Sequence, residues 1–182
     1  MTNGLVVMTP SSIAKTGASS TATINADGSV TFGLCETLSL NGVFTSDYDN
    51  YMIAVRNKRS SATNYFNYRL RASGVDESSA SNYYTSQRLL GYGTTVGAFR
   101  ANENYGRGSD YSSIESGRVV YLFGPYLAQP TAVRDVSVSG ELGATLDNFA
   151  STHSLSNAYD GITFLSSGES ATGLLTVFGF NQ

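Results

Sequence analysis

Apolar and polar residues alternate with a period of two along much of the chain. The cleanest case is 64–72, where Phe66, Tyr68, Leu70 and Ala72 share one face and Asn67, Arg69 and Arg71 the other. One buried and one wet face is the habit of antiparallel sheets, so Phe66, Tyr68 and Leu70 are expected in the core. Residues 37–57 read strand, polar turn, strand. Leu38, Leu40, Val43 and Phe44 form the apolar side of the first piece, and Tyr51, Ile53 and Val55 alternate with Met52, Ala54 and Arg56 in the second. Between them, Ser46-Asp47-Tyr48-Asp49-Asn50 is a turn, because Asp and Asn side chains bond nearby backbone. Residues 21–24 and 30–32 read as a hairpin, with Asp27-Gly28 supplying positive-φ positions. Further strands are expected at 118–123, at 133–140 and at 162–165 with 174–180, the last two as a closing hairpin. Leu5-Val6-Val7-Met8 has the length of a short strand. Residues 9–20 show little period, and Pro10 excludes a central strand position there. Residues 82–111 mix tyrosines, glycines and arginines without a clear period.

No stretch holds apolar residues at helical spacing over ten or more positions. Short strands with frequent turn signals predict an all-β fold: an antiparallel β-sandwich, jelly-roll-like, with an extended N-terminal arm. The expected division is an arm at 1–20 and a single sandwich domain at 21–182. There is no exact internal repeat, which argues against a solenoid or fibre shaft.

The length of 182 residues fits one domain. Such a domain can bury roughly 70% of the surface of its unfolded chain. Hydrophobic residues make up 41% and charged residues only 14%, below the roughly 25% usual for soluble domains. The surface is therefore built from hydroxyls, amides and tyrosines. With a net charge of -3 and a pI near 5.0, the chain lacks the basic stripe that phosphate contacts require, so nucleic acid is not an expected partner. The densest basic spot, Asn57-Lys58-Arg59, reads as a short loop. No apolar run reaches the length of a membrane span, and no signal peptide is expected, since no basic region precedes Leu5. Cys35 is the single cysteine. It can form neither an internal disulfide nor a Cys-based zinc site, and reads as a small buried residue.

Catalytic signatures are missing from the sequence. His153 is the single histidine, in a polar stretch that reads as an exposed loop, and no Gly-x-Ser-x-Gly elbow accompanies it. Paired carboxylates for glycoside hydrolysis have no marking aromatic context, and there is no tryptophan to platform a sugar. Residues 91–97 suggest a phosphate loop only superficially, without dinucleotide spacing or a Walker lysine. Asp47 and Asp49, with Asn50, offer oxygens of the kind calcium takes. The EF-hand spacing is not met, and turn capping is the weightier reading. No cofactor and no enzymatic activity are expected. Residues 83–111 have the composition of a recognition surface: Tyr83, Tyr84, Tyr92, Tyr105 and Tyr111 supply rigid amphipathic area, and Arg88, Arg100 and Arg107 can pair with carboxylates or stack on rings. Tyrosine is equally a good strand former, and packing of these rings on a sheet is the even alternative.

Three segments carry a resemblance. The run SLNGVFTSDYDNYMIAVRN at 39–57, the Ser81–Gly93 segment with its SNY and RLLGYG pieces, and the closing LLTVFGFN at 174–181 resemble small β-rich virion proteins and fibre modules of tailed, especially marine, bacteriophages. That resemblance implies a non-enzymatic structural protein made in a host cytoplasm and located on the virion, as a capsid decoration (cement) protein or a short fibre. Its implied partners are further copies of itself, most often as a trimer, and capsid or tail proteins. A carbohydrate-binding module, including a tail tip that binds host surface glycan, is the alternative. On this reading Leu5, Val6, Val7, Met8 and Ile13 belong to an arm that anchors the protein to a neighbour or to the particle, by strand addition to an exposed sheet edge; the near-even alternative is that Leu5 to Met8 is the first strand of its own sandwich.

Overall fold

The computed structural model describes residues 4–60, 66–79, 81–90, 96–108, 113–138, 140, 146–166 and 168–181. They form fifteen strands: β1 (Val6–Val7), β2 (Ser12–Thr16), β3 (Thr21–Ile24), β4 (Val30–Cys35), β5 (Thr37–Asn41), β6 (Asn50–Arg59), β7 (Phe66–Ala72), β8 (Val75–Asp76), β9 (Tyr83–Leu90), β10 (Val96–Glu103), β11 (Ser116–Phe123), β12 (Thr131–Val138), β13 (Leu146–His153), β14 (Gly161–Ser166) and β15 (Ala171–Phe180). The larger sheet has ten strands, in the order β10-β9-β13-β12-β11-β6-β15-β4-β3 with β1 also on β15. The smaller has five, in the order β2-β5-β14-β7-β8. Every strand pairing is antiparallel. The protein is an all-β antiparallel sandwich. The chain crosses from sheet to sheet at β4–β5–β6–β7 and again at β13–β14–β15, an alternation that fits a jelly roll. The meander β11–β12–β13 stays within one sheet.

Between the sheets lie the inward side chains of each alternating strand. Tyr51, Ile53, Val120, Leu122 and Leu175 come from the larger sheet, and Leu38, Leu40, Tyr68, Leu70, Ile162 and Phe164 from the smaller, all at most 1% exposed. Phe66, Tyr68 and Leu70 are in the core, as the period of two requires, and so is Cys35. The β3–β4 hairpin forms as read. Gly28 has φ of 83° in its turn, and the Asp27 carboxylate accepts bonds from the backbone N–H and hydroxyl of Ser29.

Four expectations change. The 162–165 and 174–180 strands are not a hairpin: β14 sits in the smaller sheet and β15 in the larger, so the two belong to different layers. The 46–50 turn likewise joins strands of opposite sheets. Asn57 and Arg59 are not loop residues; they close β6 with side chains turned inward, at 1% and 3% exposure. The third is the wet face of β7. Asn67 and Arg71 are buried there, because Arg71 is enclosed by Ser39, Asn41, Asp76, Thr163 and the carbonyl of Gly74. The fourth is the arm. Val6 and Val7 pair with Gly179 and Phe178, residues 12–16 pair with β5, and Met8 and Ile13 pack against the core. The described part of 1–20 therefore pairs its backbone with its own body and packs Met8 and Ile13 there; of its large apolar side chains, Leu5 and Val7 are the exposed ones.

Candidate functional site

The two sheets turn different outer faces to their surroundings. Across the smaller sheet, register sets Thr16, Thr37, Leu165 and Asn67 in one row, Ala14, Ser39, Thr163 and Arg69 in the next, and Ser12, Asn41, Gly161 and Arg71 in the third. Hydroxyls, amides and two guanidinium groups dominate. The Ser39 and Thr163 hydroxyls lie 2.9 Å apart, and Thr163 Oγ1 donates to Asp76 Oδ1 at 2.6 Å. This is a polar surface whose groups are largely engaged with one another.

Over the four neighbouring strands β15, β6, β11 and β12 the outer face of the larger sheet is largely apolar. Its rows run Leu174–Arg56–Gly117–Val138, then Thr176–Ala54–Val119–Val136, then Phe178–Met52–Tyr121–Arg134, then Phe180–Asn50–Phe123–Ala132. A strand has two sides, and both are largely apolar in β15, over 51–55 of β6 and over 119–123 of β11. Arg56 and Arg134 are the charges in these four rows; Arg56 lies 3.8 Å from the Glu115 carboxylate. A groove of about 520 Å³ opens at the Ala54, Gly117, Val119 and Val136 end of this face.

Of the residues read as one recognition surface, those described fall into separate settings, with Tyr84 and Arg100 as diagonal neighbours on β9 and β10. Tyr83 is a correction: it is fully buried. Its hydroxyl accepts the Leu70 N–H at 3.0 Å and donates to the Glu77 carbonyl at 2.9 Å, so it ties β9 of one sheet to β7 of the other. Tyr84, one residue on, points outward and is exposed. Arg88 pairs through its backbone with Ala98 and Asn148; its side chain is outside the described atoms, and Tyr92 and Tyr111 lie outside the described residues. Arg100 is exposed on β10. Arg107 forms a forked pair with Glu103. Tyr105 lines a trough of about 300 Å³ with Glu36, Thr37, Asn67 and Arg69, where Arg69 Nε donates to the Asn104 carbonyl at 3.0 Å.

His153 is the second correction. It ends β13 fully buried, edge-on to Tyr83 at 4.4 Å and to Tyr159 at 5.1 Å between ring centroids. Burial holds its pKa below the usual imidazole value, with Glu77 opposing, and burial pushes the Tyr159 phenol up to about 12. A buried, neutral imidazole makes a pH prediction. The unfolded state binds the proton more readily, so the contribution of His153 is complete above about pH 6.5 and is lost as pH falls from there toward the lower folded value. The melting temperature of the protein is expected to fall between pH 7.5 and 5.5, and His153→Phe to flatten that fall. An equal fall in the variant would remove His153 as its source.

Asp47 and Asp49 serve the turn. The Asp47 carbonyl accepts from the Asn181 amide, and the Asp49 N–H donates to Asn181 Oδ1, which ties the turn to the residue after β15. Among the described residues no three His, Cys, Asp or Glu side chains are grouped to hold a metal ion, and no helix is long and apolar enough to cross a membrane.

A feature that alternation alone does not show lies between the sheets. Arg118 on β11 and Asp135 on β12 are 3% and 1% exposed, and Arg118 Nε donates to both carboxylate oxygens at 2.9 Å. Nη1 of Arg118 reaches the Phe66 carbonyl on the opposite sheet at 2.6 Å. Burial pushes the Asp135 carboxyl up while the guanidinium pulls it down. The backbone around 106–108 must come close: a Cβ on Gly106 would enter the Tyr68 ring, and one on Gly108 would meet the Arg118 guanidinium. The pair is sealed from any substrate and is structural.

Comparison with protein-family models and with curated proteins gives no match.

Proposed function

We propose that this protein is a non-enzymatic structural component of a tailed-phage virion, displayed on the particle surface as a capsid decoration protein or short fibre. The observation that carries this reading is the contrast between the two outer faces. An apolar sheet face suits permanent contact with protein, and a polar face of hydroxyls, amides and arginines suits exposure to water. The resemblance of three segments to phage virion proteins points the same way. Three titratable groups with displaced pKa values, His153, Tyr83 and Asp135, lie inside the sandwich and serve its packing, while Tyr105, also displaced, lines the trough beside Arg69.

The Tyr105 trough favours one second reading, a glycan-binding module. It sets an aromatic ring beside a carboxylate, an amide and a guanidinium, the groups that bond sugar hydroxyls. The two readings separate in one pair of measurements. Under the first, the purified chain co-sediments with phage capsids and free sugars do not release it. Binding to a glycan array that free sugar competes away, with no capsid association, would overturn the first and support the second.

A further inference from the structure

We infer that the apolar outer face of the larger sheet is a self-pairing surface, whose occupant is a second copy of this chain docked about a two-fold axis. The inference deepens the structural role proposed above by naming the first partner. It rests on how side-chain size is distributed along the face. Toward one end the outward positions Ala54, Gly117, Val119, Val136 and Thr176 are small or short, and there the groove opens, closed off at its end by Leu174, Arg56 and Val138. At the other end they are large: Met52, Tyr121, Phe123, Phe178 and Phe180. The same strands β6, β11 and β15 carry both halves, so groove and ridge are one unit turned end for end. A two-fold axis lying in the plane of the interface and running across the strands, midway between groove and ridge, lays the ridge of each copy in the groove of the other. Such self-complementarity is what an isologous interface requires.

The area is adequate. The four apolar strands β15, β6, β11 and β12, with β13 as a rim whose outward residues are Leu146, Asn148, Ala150 and Thr152, at about 4.8 Å spacing, and four outward rows at about 6.8 Å, span about 24 Å by 27 Å. That is about 650 Å² in projection, before side-chain relief is added, against about 800 Å² per partner in a standard stable interface. The sheet spends its backbone donors and acceptors on its own ladder, so this face offers side-chain packing and little hydrogen bonding. Packing without hydrogen bonds fits a protein surface of the same chemistry and does not fit a sugar. The arrangement is two-fold, in place of the threefold one that the resemblance implies.

The test is the mass of the purified chain in solution, by sedimentation equilibrium across about 1–100 µM, a range that covers ordinary stable interfaces. A species of two 19.3 kDa chains is expected. Val119→Glu and Thr176→Glu, both outward on this face, are expected to weaken association by about a hundredfold or more by placing a charge in a desolvated contact. Ala14→Glu, on the polar face, is expected to leave it unchanged. Thr176 already carries a hydroxyl, so its variant should fold even where the Val119 variant does not, and circular dichroism of each variant checks this. A monomer throughout the range overturns the inference. So does a trimer, or a dimer that neither glutamate disturbs. Capsid co-sedimentation by a monomer would overturn self-pairing while leaving the virion role standing; a stable dimer without affinity for particles would do the reverse.

Discussion

Arg118→Ala is expected to destabilise the protein by about 3–5 kcal/mol, the cost of breaking a buried ion pair from one side. The substitution removes the three bonds to Asp135 and the donor to the Phe66 carbonyl, and it leaves a carboxylate 1% exposed without its cation. Burial already pushes that carboxyl up. Once Arg118 is gone nothing opposes it, and the group takes up a proton more readily. The penalty should therefore shrink as the pH is lowered, an unusual direction for an acid-sensitive protein. Replacing both partners, as Arg118→Met with Asp135→Leu, should recover much of the loss, because no uncompensated charge remains. Urea unfolding at pH 7.5 and at pH 5 measures each case. A loss under about 1 kcal/mol for the single variant would show that the pair is solvated after all.

Phe164→Ala is the second large effect, at about 3–5 kcal/mol for an aromatic side chain deleted from a packed core. Phe164 is fully buried on β14. Its ring is stacked on Phe66 with centroids 5.1 Å apart and planes inclined by 9°, and Arg118 Cζ lies 5.6 Å from its centroid. Three parts of the interior meet there: the β14–β7 ladder, the aromatic stack and the ion pair. The cavity left by alanine has rigid walls on every side, so little of the loss can relax away. Phe164→Leu, which refills part of the volume, should cost clearly less. Thermal unfolding followed by circular dichroism gives the comparison, and equal losses for the two variants would argue against a cavity.

Much of this architecture was legible because β7, β6 and the β3–β4 hairpin have one clean inner face. Phe66, Tyr68, Leu70, Ile53 and Val55 are placed by a period of two and nothing more. What alternation hides is which sheet a strand joins. Residues 162–165 and 174–180 carry the marks of a hairpin, but a crossing between layers needs the same turn residues. His153 and Tyr83 were misread for a related reason. Each sits in polar sequence, and burial follows from their neighbours Tyr159, Leu70 and Glu77, which lie 6 to 13 residues away in sequence. The buried Arg118 was equally illegible, since its partner Asp135 stands on another strand.

The apolar outer face did leave a signal. Val119-Val120-Tyr121-Leu122-Phe123 and Leu174-Leu175-Thr176-Val177-Phe178 are unbroken runs without charge. A strand wetted on one side alternates; an uninterrupted run marks one with apolar groups on both. The candidate site was less legible than the fold, because tyrosine packs and binds equally well. Tyr83 and Tyr84 are adjacent in sequence, yet one is sealed in the core and the other exposed on the surface.

The place of β15 has a consequence for how the chain reaches this state during synthesis. It is the last of the fifteen strands, yet it stands in the interior of the larger sheet, hydrogen-bonded to β6 on one side and to β4 and β1 on the other. Until residues 171–180 leave the ribosome, β4 and β6 face an open slot with unpaired edges, and Val30, Phe32, Ile53 and Val55 lack the strand that lies between them. The β3–β4 hairpin cannot join the β10-β9-β13-β12-β11-β6 ladder until β15 fills the slot between them, so the larger sheet completes late. A nascent chain in that interval exposes the kind of edge that recruits chaperones or pairs with its neighbours on the polysome.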